Sequence, residues 1–280
     1  MSTWISTPAR EGVVTDAAAV VSIFDHGFTV GDGLFETIRT SNGVAEFLPL
    51  HLDRLERSAA ALGLSSPSRA HIVSGVTEVL RLDSDVATGR MRITLTSGSG
   101  NPGALRGEGW LLVITHSAFT PSSHEVRLTV SDFRRDALSP LAGHKSTSYA
   151  LEVLALHDAV KRGFDDAILL NHHNEVVETS SANIFAVLNN VVVTPSVTTG
   201  CLPGVIREVI LEEFPSSLKM AQIPFTISEL LSAQEVFVTS SLRGIVPVAA
   251  IGDHVFPSER PLTSRLQLEL SSILKVGSHE

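Results

Sequence analysis

Between two strand patterns stands Phe119-Thr120-Pro121-Ser122-Ser123, a turn-rich stretch with the composition of a linker. It divides the chain into two stretches with strands and helices of their own. The expectation is a small N-terminal α/β domain over residues 1–120 and a larger C-terminal domain over 121–280. Hydrophobic residues at 43% and charged residues at 18% exclude a disordered chain. At 280 residues the chain is able to bury about three quarters of its unfolded surface without staples.

In the first stretch, Leu34 to Arg39 and Val44 to Leu48 flank Ser41-Asn42-Gly43, a tight-hairpin signal. Leu48, Leu52, Leu55, Ala59 and Leu62 recur at helical spacing, with Gly63 as the stop. A weaker helix covers 68–82, and Arg90 to Thr96 pairs with Trp110 to Thr115 across a Gly/Ser-rich loop. An apolar run from Ala18 to Phe24 breaks at Asp25-His26-Gly27. In the second stretch, Val126 to Val130 is a strand, and Tyr149, Val153, Leu156 and Val160 mark a helix that ends at Gly163. Strands follow at 166–170, 176–179, 183–188, 191–194 and 235–239, with helices from Pro203 and over 261–275. With no internal repeat, the pattern predicts an α+β or mixed α/β fold.

Several function classes are disfavoured. A net charge of -9 offers few of the clustered cations that nucleic-acid phosphates need, and aromatic residues at 5% give no obvious base-stacking surface. Cys201 is the single cysteine, which favours a reducing compartment. Without a signal-like N-terminus or a long apolar run, a cytoplasmic protein free of membrane contact is expected. Gly98-Ser99-Gly100-Asn101-Pro102-Gly103 matches a dinucleotide fingerprint, but only Ala104 to Glu108 separate it from Gly109 and the next strand, too few for the required helix. No serine-hydrolase elbow occurs, His172-His173 sits in a polar turn, and no cluster has metal-ligand spacing, so no metal is expected.

Lysine is scarce. The chain has Lys145, Lys161, Lys219 and Lys275 only. Lys161 ends a helix, where its charge suits the dipole, and Lys219 and Lys275 lie near element ends. Lys145 is framed by Gly143-His144 and Ser146-Thr147-Ser148, among small and hydroxyl residues that leave room for a ligand beside a Schiff-base lysine. On this feature alone a plain surface lysine stays open. Glu178 precedes the small-residue turn Thr179-Ser180-Ser181-Ala182-Asn183 and is either a carboxylate facing a cation or an edge-strand glutamate. Thr199 to Arg207 puts Pro203 and Gly204 at a helix start, a natural phosphate site. Thr239-Ser240-Ser241 offers a second anion cradle, and Arg54 lies off the apolar stripe of its helix.

In combination these segments resemble the fold-type IV (class IV) pyridoxal-phosphate enzymes, among them branched-chain and D-amino-acid aminotransferases and 4-amino-4-deoxychorismate lyase. The resemblance runs from Phe24-Asp25-His26-Gly27 to Val246-Pro247-Val248. It is carried by Gly31 to Thr37, His51 to Leu55, Lys145 to Tyr149, Val177-Glu178 through Asn183-Ile184-Phe185, and Leu202 to Arg207. It implies a two-domain fold like that of D-amino-acid aminotransferase, with Lys145 on the second domain, a pyridoxal 5'-phosphate cofactor, a small-molecule substrate and a homodimer. Lys145 would hold the cofactor and carry protons, and Glu178 would pair with the pyridine nitrogen. Arg54, the amides of Val205 and Ile206, and Ser240 and Ser241 would hold the phosphate. Tyr149, Ser181, Asn183, Leu202 and Gly204 would complete the cofactor site, with Phe35, Thr37 and Ser97 on the substrate side.

Two departures from the family pattern matter. Ile206 stands where many aminotransferases have Thr, and the arginine that some members use for a substrate carboxylate is absent from residues 94–99. Gly31 to Thr37, Leu202 to Arg207 and Thr239 to Gly244 are closer to the aminodeoxychorismate lyases, which implies release of pyruvate and 4-aminobenzoate for folate synthesis. The alternative is an amino-acid transaminase, with Arg106 or Arg243 as a substitute carboxylate anchor.

Overall fold

Asn42 and Gly43 both adopt positive φ, 48° and 79°, as a two-residue hairpin turn requires. They join β3 (Gly33–Ser41) to β4 (Val44–Ala45). In this computed structural model, which describes residues 1–15, 18–101, 105–106, 109–122, 124–214 and 218–276, the chain forms two units. One is Met1–Pro121 with His144–Tyr149; the other is Ser122–Gly143 with Ala150–Glu280. Residues 102–104 of the glycine-rich loop and 123 of the linker lie outside the described residues.

The first unit contains β1 (Ser2–Thr7), β2 (Arg10–Val14), α1 (His26–Thr29), α2 (Leu48–Leu62), α3 (Arg69–Leu82), β5 (Thr88–Thr96) and β6 (Leu111–Ala118), besides β3 and β4. Its six strands run in the order β2-β1-β6-β5-β3-β4, with every pairing antiparallel. Period-two alternation on β5 buries Met91, Ile93 and Leu95 and leaves Arg90 and Arg92 on the other face. The core face takes Leu52, Leu55 and Ala59 of α2 together with Ile72, Val76 and Val79 of α3. Gly63 ends α2 at φ 64° in the left-handed region, and the Ser68 side chain caps α3.

The sequence gives no strand signal for β1 and β2, whose Ser, Thr and charged residues dilute the apolar pattern. Only Trp4 and Ile5 mark the buried part. Conversely, the apolar run ending at Phe24 makes no strand, and Val20, Ile23 and Phe24 remain exposed. His144–Tyr149, expected on the second domain, groups with the first unit because its backbone pairs with β3. Phe35 N–H donates to the Lys145 carbonyl at 2.9 Å, and Thr147 N–H donates to the Gly33 carbonyl at 2.9 Å.

The second unit contains β7 (Val126–Arg135), α4 (Ala150–Lys161), β8 (Asp166–Asn171), β9 (Val176–Thr179), β10 (Asn183–Leu188) and β11 (Val191–Thr194). These are followed by α5 (Val205–Glu213), β12 (Met220–Gln222), α6 (Ile227–Leu231), β13 (Glu235–Ser240), β14 (Gly244–Ile251), β15 (His254–Val255) and α7 (Pro261–Val276). The sheet order is β12-β11-β10-β13-β14-β7-β8-β9, with β15 on β14. Every residue of β8 is buried, as its unbroken apolar run requires between covered faces. The apolar residues that mark α4 lie outside: Val153, Leu156 and Val160 are exposed, while Ala155 and Ala159 pack on Ala167 and Leu169. β14 gave no complete strand signal because Pro247 interrupts it, beside a register shift at Val248/Ala250. No described helix is long and apolar enough to cross a membrane.

Candidate active site

On the first unit the lysine segment is seated by glycines. A Cβ on Gly33 would meet the Leu95 carbonyl oxygen at 2.7 Å and Thr147 Oγ1 at 3.0 Å, so a side chain there would push residues 145–148 off β3. Thr147 Oγ1 and Ser148 Oγ both donate to the Gly31 carbonyl, at 2.8 and 3.0 Å. His144 Nδ1 lies 3.0 Å from Ser58 Oγ on α2. Thus fixed at the backbone, Lys145 extends its Nζ to 4.5 Å from the Phe35 ring centroid and 5.6 Å from that of Tyr149. The two rings meet edge to face, with centroids 5.3 Å apart.

Thr37 pairs with Arg92 and Phe35 with Thr94, so these four side chains share one face of β3 and β5. Arg92 Cζ lies 3.8 Å from the Phe35 ring centroid, and its Nε donates to Thr94 Oγ1 at 3.1 Å. Sequence reasoning passed over Arg92 because an outward arginine on an alternating strand is unremarkable. Ser97 is committed elsewhere: its hydroxyl donates to Asp32 Oδ2 at 2.7 Å. Arg106 is held by its own unit, with Nε and Nη2 on Asp32 and Nη1 on the Leu62 and Gly63 carbonyls.

The opposite face of β3 carries Glu36, a carboxylate 1% exposed between Leu34 and Ile38. Arg54 Nε donates to Glu36 Oε1 at 2.9 Å and Arg54 Nη2 to Oε2, while His51 Nδ1 sits 2.6 Å from Oε2. Burial opposes the charge on Glu36, but the guanidinium and imidazole outweigh it and hold the carboxyl at about 2. Burial pushes His51 below its ordinary value, aided by the positive charges of Arg54 and Lys145, so His51 is neutral and donates Nδ1–H to Glu36. Arg54 is therefore buried and fixed in direction. The signal that could have revealed this was a lone acid at a core-facing strand position, followed by His and Arg at i and i+3 on the covering helix.

On the second unit Glu178 is buried at the end of β9. Its Oε1 accepts from Arg135 Nη2 at 3.1 Å, and its Oε2 accepts from Leu202 N–H at 3.1 Å and Asn183 Nδ2 at 3.3 Å. Asn183 Nδ2 also donates to the Leu202 carbonyl at 2.8 Å. A Cβ on Gly204 would collide with Asn183 Oδ1, so the tight approach of these loops needs glycine there. The turn after Glu178 is organised by buried Asp166, which accepts from the hydroxyls of Thr179, Ser180 and Ser181. The Ser181 hydroxyl proton, expected at the cofactor, is engaged by Asp166, and Arg243 Nη2 reaches Ser181 Oγ at 3.5 Å.

α5 opens at Gly204 without a side-chain cap, leaving the first N–H groups, including those of Val205 and Ile206, for an acceptor. The Ile206 side chain is buried, so only its amide is on offer. Thr239 Oγ1 is buried without a hydrogen-bond partner among the described residues, and Ser240 and Ser241 follow it, half-buried. An uncapped helix start and an unpartnered hydroxyl fit a bound phosphate. The buried carboxylate of Glu178 fits a cationic ring nitrogen, and the lysine over aromatic rings fits an aldehyde-bearing cofactor. Burial pushes the Cys201 thiol up to about 11, with the Glu178 charge adding to the effect, so Cys201 is no nucleophile. No group of three metal-ligating side chains occurs among the described residues.

The model of the amino-transferase class IV family matches residues 33–251. An aminodeoxychorismate lyase of Vibrio harveyi is 31% identical over 267 residues, covering 90% of this chain and 96% of that protein. A D-alanine aminotransferase of Bacillus licheniformis is 30% identical over 259 residues, covering 90% and 91%. Among solved structures, a branched-chain aminotransferase of Thermoproteus uzoniensis crystallised with norvaline superposes with a TM-score of 0.88. It is 26% identical, over 98% of this chain and 95% of that one.

Proposed function

The chain belongs to the class IV amino-transferase family of pyridoxal-phosphate-dependent enzymes with the fold-type IV architecture, and from that premise we propose that it is a 4-amino-4-deoxychorismate lyase. Its substrate would be split into pyruvate and 4-aminobenzoate. The cofactor, when bound, supplies an electron sink for the charge left by proton removal. We assign Lys145 to cofactor attachment and to moving the proton from the carbon beside the substrate amine. Glu178 holds a proton at the pyridine nitrogen. Arg54, the amides of Val205 and Ile206, and Ser240 and Ser241 bind the phosphate. Tyr149, Asn183, Leu202 and Gly204 shape the cofactor's surroundings, with Phe35 and Thr37 on the substrate side.

One observation carries the choice of lyase. At the end of β5, Thr96 and Ser97 donate their hydroxyls to Asp25 and Asp32, and the nearby Arg106 is bound to Asp32 and two carbonyls. Among the described residues an amino acid's carboxylate meets no uncommitted cation there, whereas small residues suit a bulkier, ring-shaped substrate. Arg92, stacked on Phe35 beside Lys145, favours a second possibility, a branched-chain or D-amino-acid transaminase whose carboxylate anchor is Arg92. We propose a cytoplasmic homodimer with either reaction; exposed apolar side chains such as Ile23 at 69% and Phe28 at 72% favour a second subunit.

The deciding assay gives purified protein aminodeoxychorismate and follows pyruvate and 4-aminobenzoate, beside Leu, Ile, Val and D-Ala with 2-oxoglutarate. A missing polar anchor separates substrates by about 10⁴-fold or more where a site is built for it. Lyase kcat/KM should accordingly exceed that of every transamination by orders of magnitude. Efficient transamination with no 4-aminobenzoate formed would make the protein a transaminase instead.

A further inference from the structure

Arg135, at the end of β7, holds two carboxylates. Nη2 reaches Glu178 Oε1 at 3.1 Å, and Nη1 bonds to Glu152 Oε1 in the first turn of α4. Glu152 is 5% exposed, and its Oε2 has no hydrogen-bond partner among the described residues. A buried carboxylate with one oxygen unpartnered destabilises a fold, so packing does not account for this residue. A charge requirement does. Glu178 faces a second guanidinium at longer range: Arg207, also buried, whose Nη2 bonds to the Pro195 carbonyl and Gln222 Oε1 and whose charge Glu208 also offsets. Leu202 N–H and Asn183 Nδ2, which also donate to Glu178, are neutral.

Without Glu152, the Arg135 charge would bear more heavily on Glu178. A carboxylate so outweighed has little negative potential left for a further cation. With Glu152 the Arg135 charge is shared between two carboxylates, and Glu178 stays both fixed in direction and effectively anionic. We propose that Glu152 is a positioning residue that neutralises Arg135, so that Glu178 keeps the charge with which it holds a proton on the cofactor's pyridine nitrogen. This rests on the assignment of Glu178 to that nitrogen. In a low-dielectric site, losing one nearby unit charge changes a protonation equilibrium on the order of tenfold or more.

The test loads wild type, Glu178→Gln, Glu152→Gln and the double variant Arg135→Gln/Glu152→Gln with pyridoxal phosphate labelled with ¹⁵N in the ring, and records the ring ¹⁵N resonance with kcat and KM. Glu152→Gln should move the resonance toward the unprotonated pyridine position and lower kcat roughly tenfold, with KM little changed. The double variant removes the guanidinium charge as well, so both readouts should return toward wild type, an outcome that loss of packing would not produce. An unmoved resonance in Glu152→Gln, or a double variant no better than the single one, overturns the proposal. That second comparison holds even if the single variant folds poorly. If Glu178→Gln also leaves the resonance unmoved, the ring-nitrogen assignment itself falls and takes the proposal with it. If Glu178→Gln moves it and Glu152→Gln does not, the proposal alone falls.

Discussion

Lys145→Ala should leave a folded protein whose turnover is lower by about 10²–10⁴-fold or more, the scale of positioned proton transfer by a side chain. Lys145 is the one lysine of the first unit. The fold should tolerate the change because the segment is held by backbone pairing with β3 and by Thr147 and Ser148, not by the lysine side chain. Unfolding midpoints close to wild type, together with single-turnover rates of pyruvate release, check both halves of this expectation. A variant that retains a tenth of wild-type turnover would remove Lys145 from the chemistry.

The largest stability effect is expected at Glu36. Glu36→Gln leaves Arg54 buried without its carboxylate, and breaking a buried pair from one side costs about 3–5 kcal/mol. Denaturant unfolding should show that loss, and pyridoxal-phosphate affinity should fall with it, because Arg54 no longer has a fixed direction. A change below about 1 kcal/mol would mean that the pair has no such role. The pH dependence follows from the same groups. The Glu36 carboxyl lies near 2 when folded, below its ordinary 4.5, so its contribution is fully present above about 4.5 and is lost as pH falls toward 2. His51 is shifted below its ordinary 6.5, so the unfolded chain takes up a proton that the folded one refuses, and stability begins to decline as pH drops below that value. Wild type should show both phases, and Glu36→Gln should have a smaller acidic one, what remains coming from carboxyls such as Asp32 and Asp83, which are also held below their ordinary values.

Local signals made much of this fold readable. Asn42-Gly43 and Gly63 specify their own backbone conformations, and the apolar runs of β8, β10 and β11 coincide with strands because both faces are covered. Where the signal is spread over distant residues it disappears. The strand β1 is polar by composition and becomes a strand by pairing with β2 and β6, and β14 hides behind Pro247. The same division holds for the candidate site. Lys145, Glu178 and the start of α5 stand out by composition. Glu36 with Arg54, and Arg135 with Glu152 and Glu178, are partnerships across 17 to 43 positions of sequence that only folding brings together. Arg92 shows a further limit, since outward strand arginines look alike until one is found on the ring beside the lysine.

Reduction with borohydride followed by peptide mapping tests the assignment of Lys145 most directly. The purified protein should be yellow, lose its colour on reduction, and carry the pyridoxyl adduct on the peptide containing Lys145. An adduct on Lys161, Lys219 or Lys275, or none at all, would contradict it.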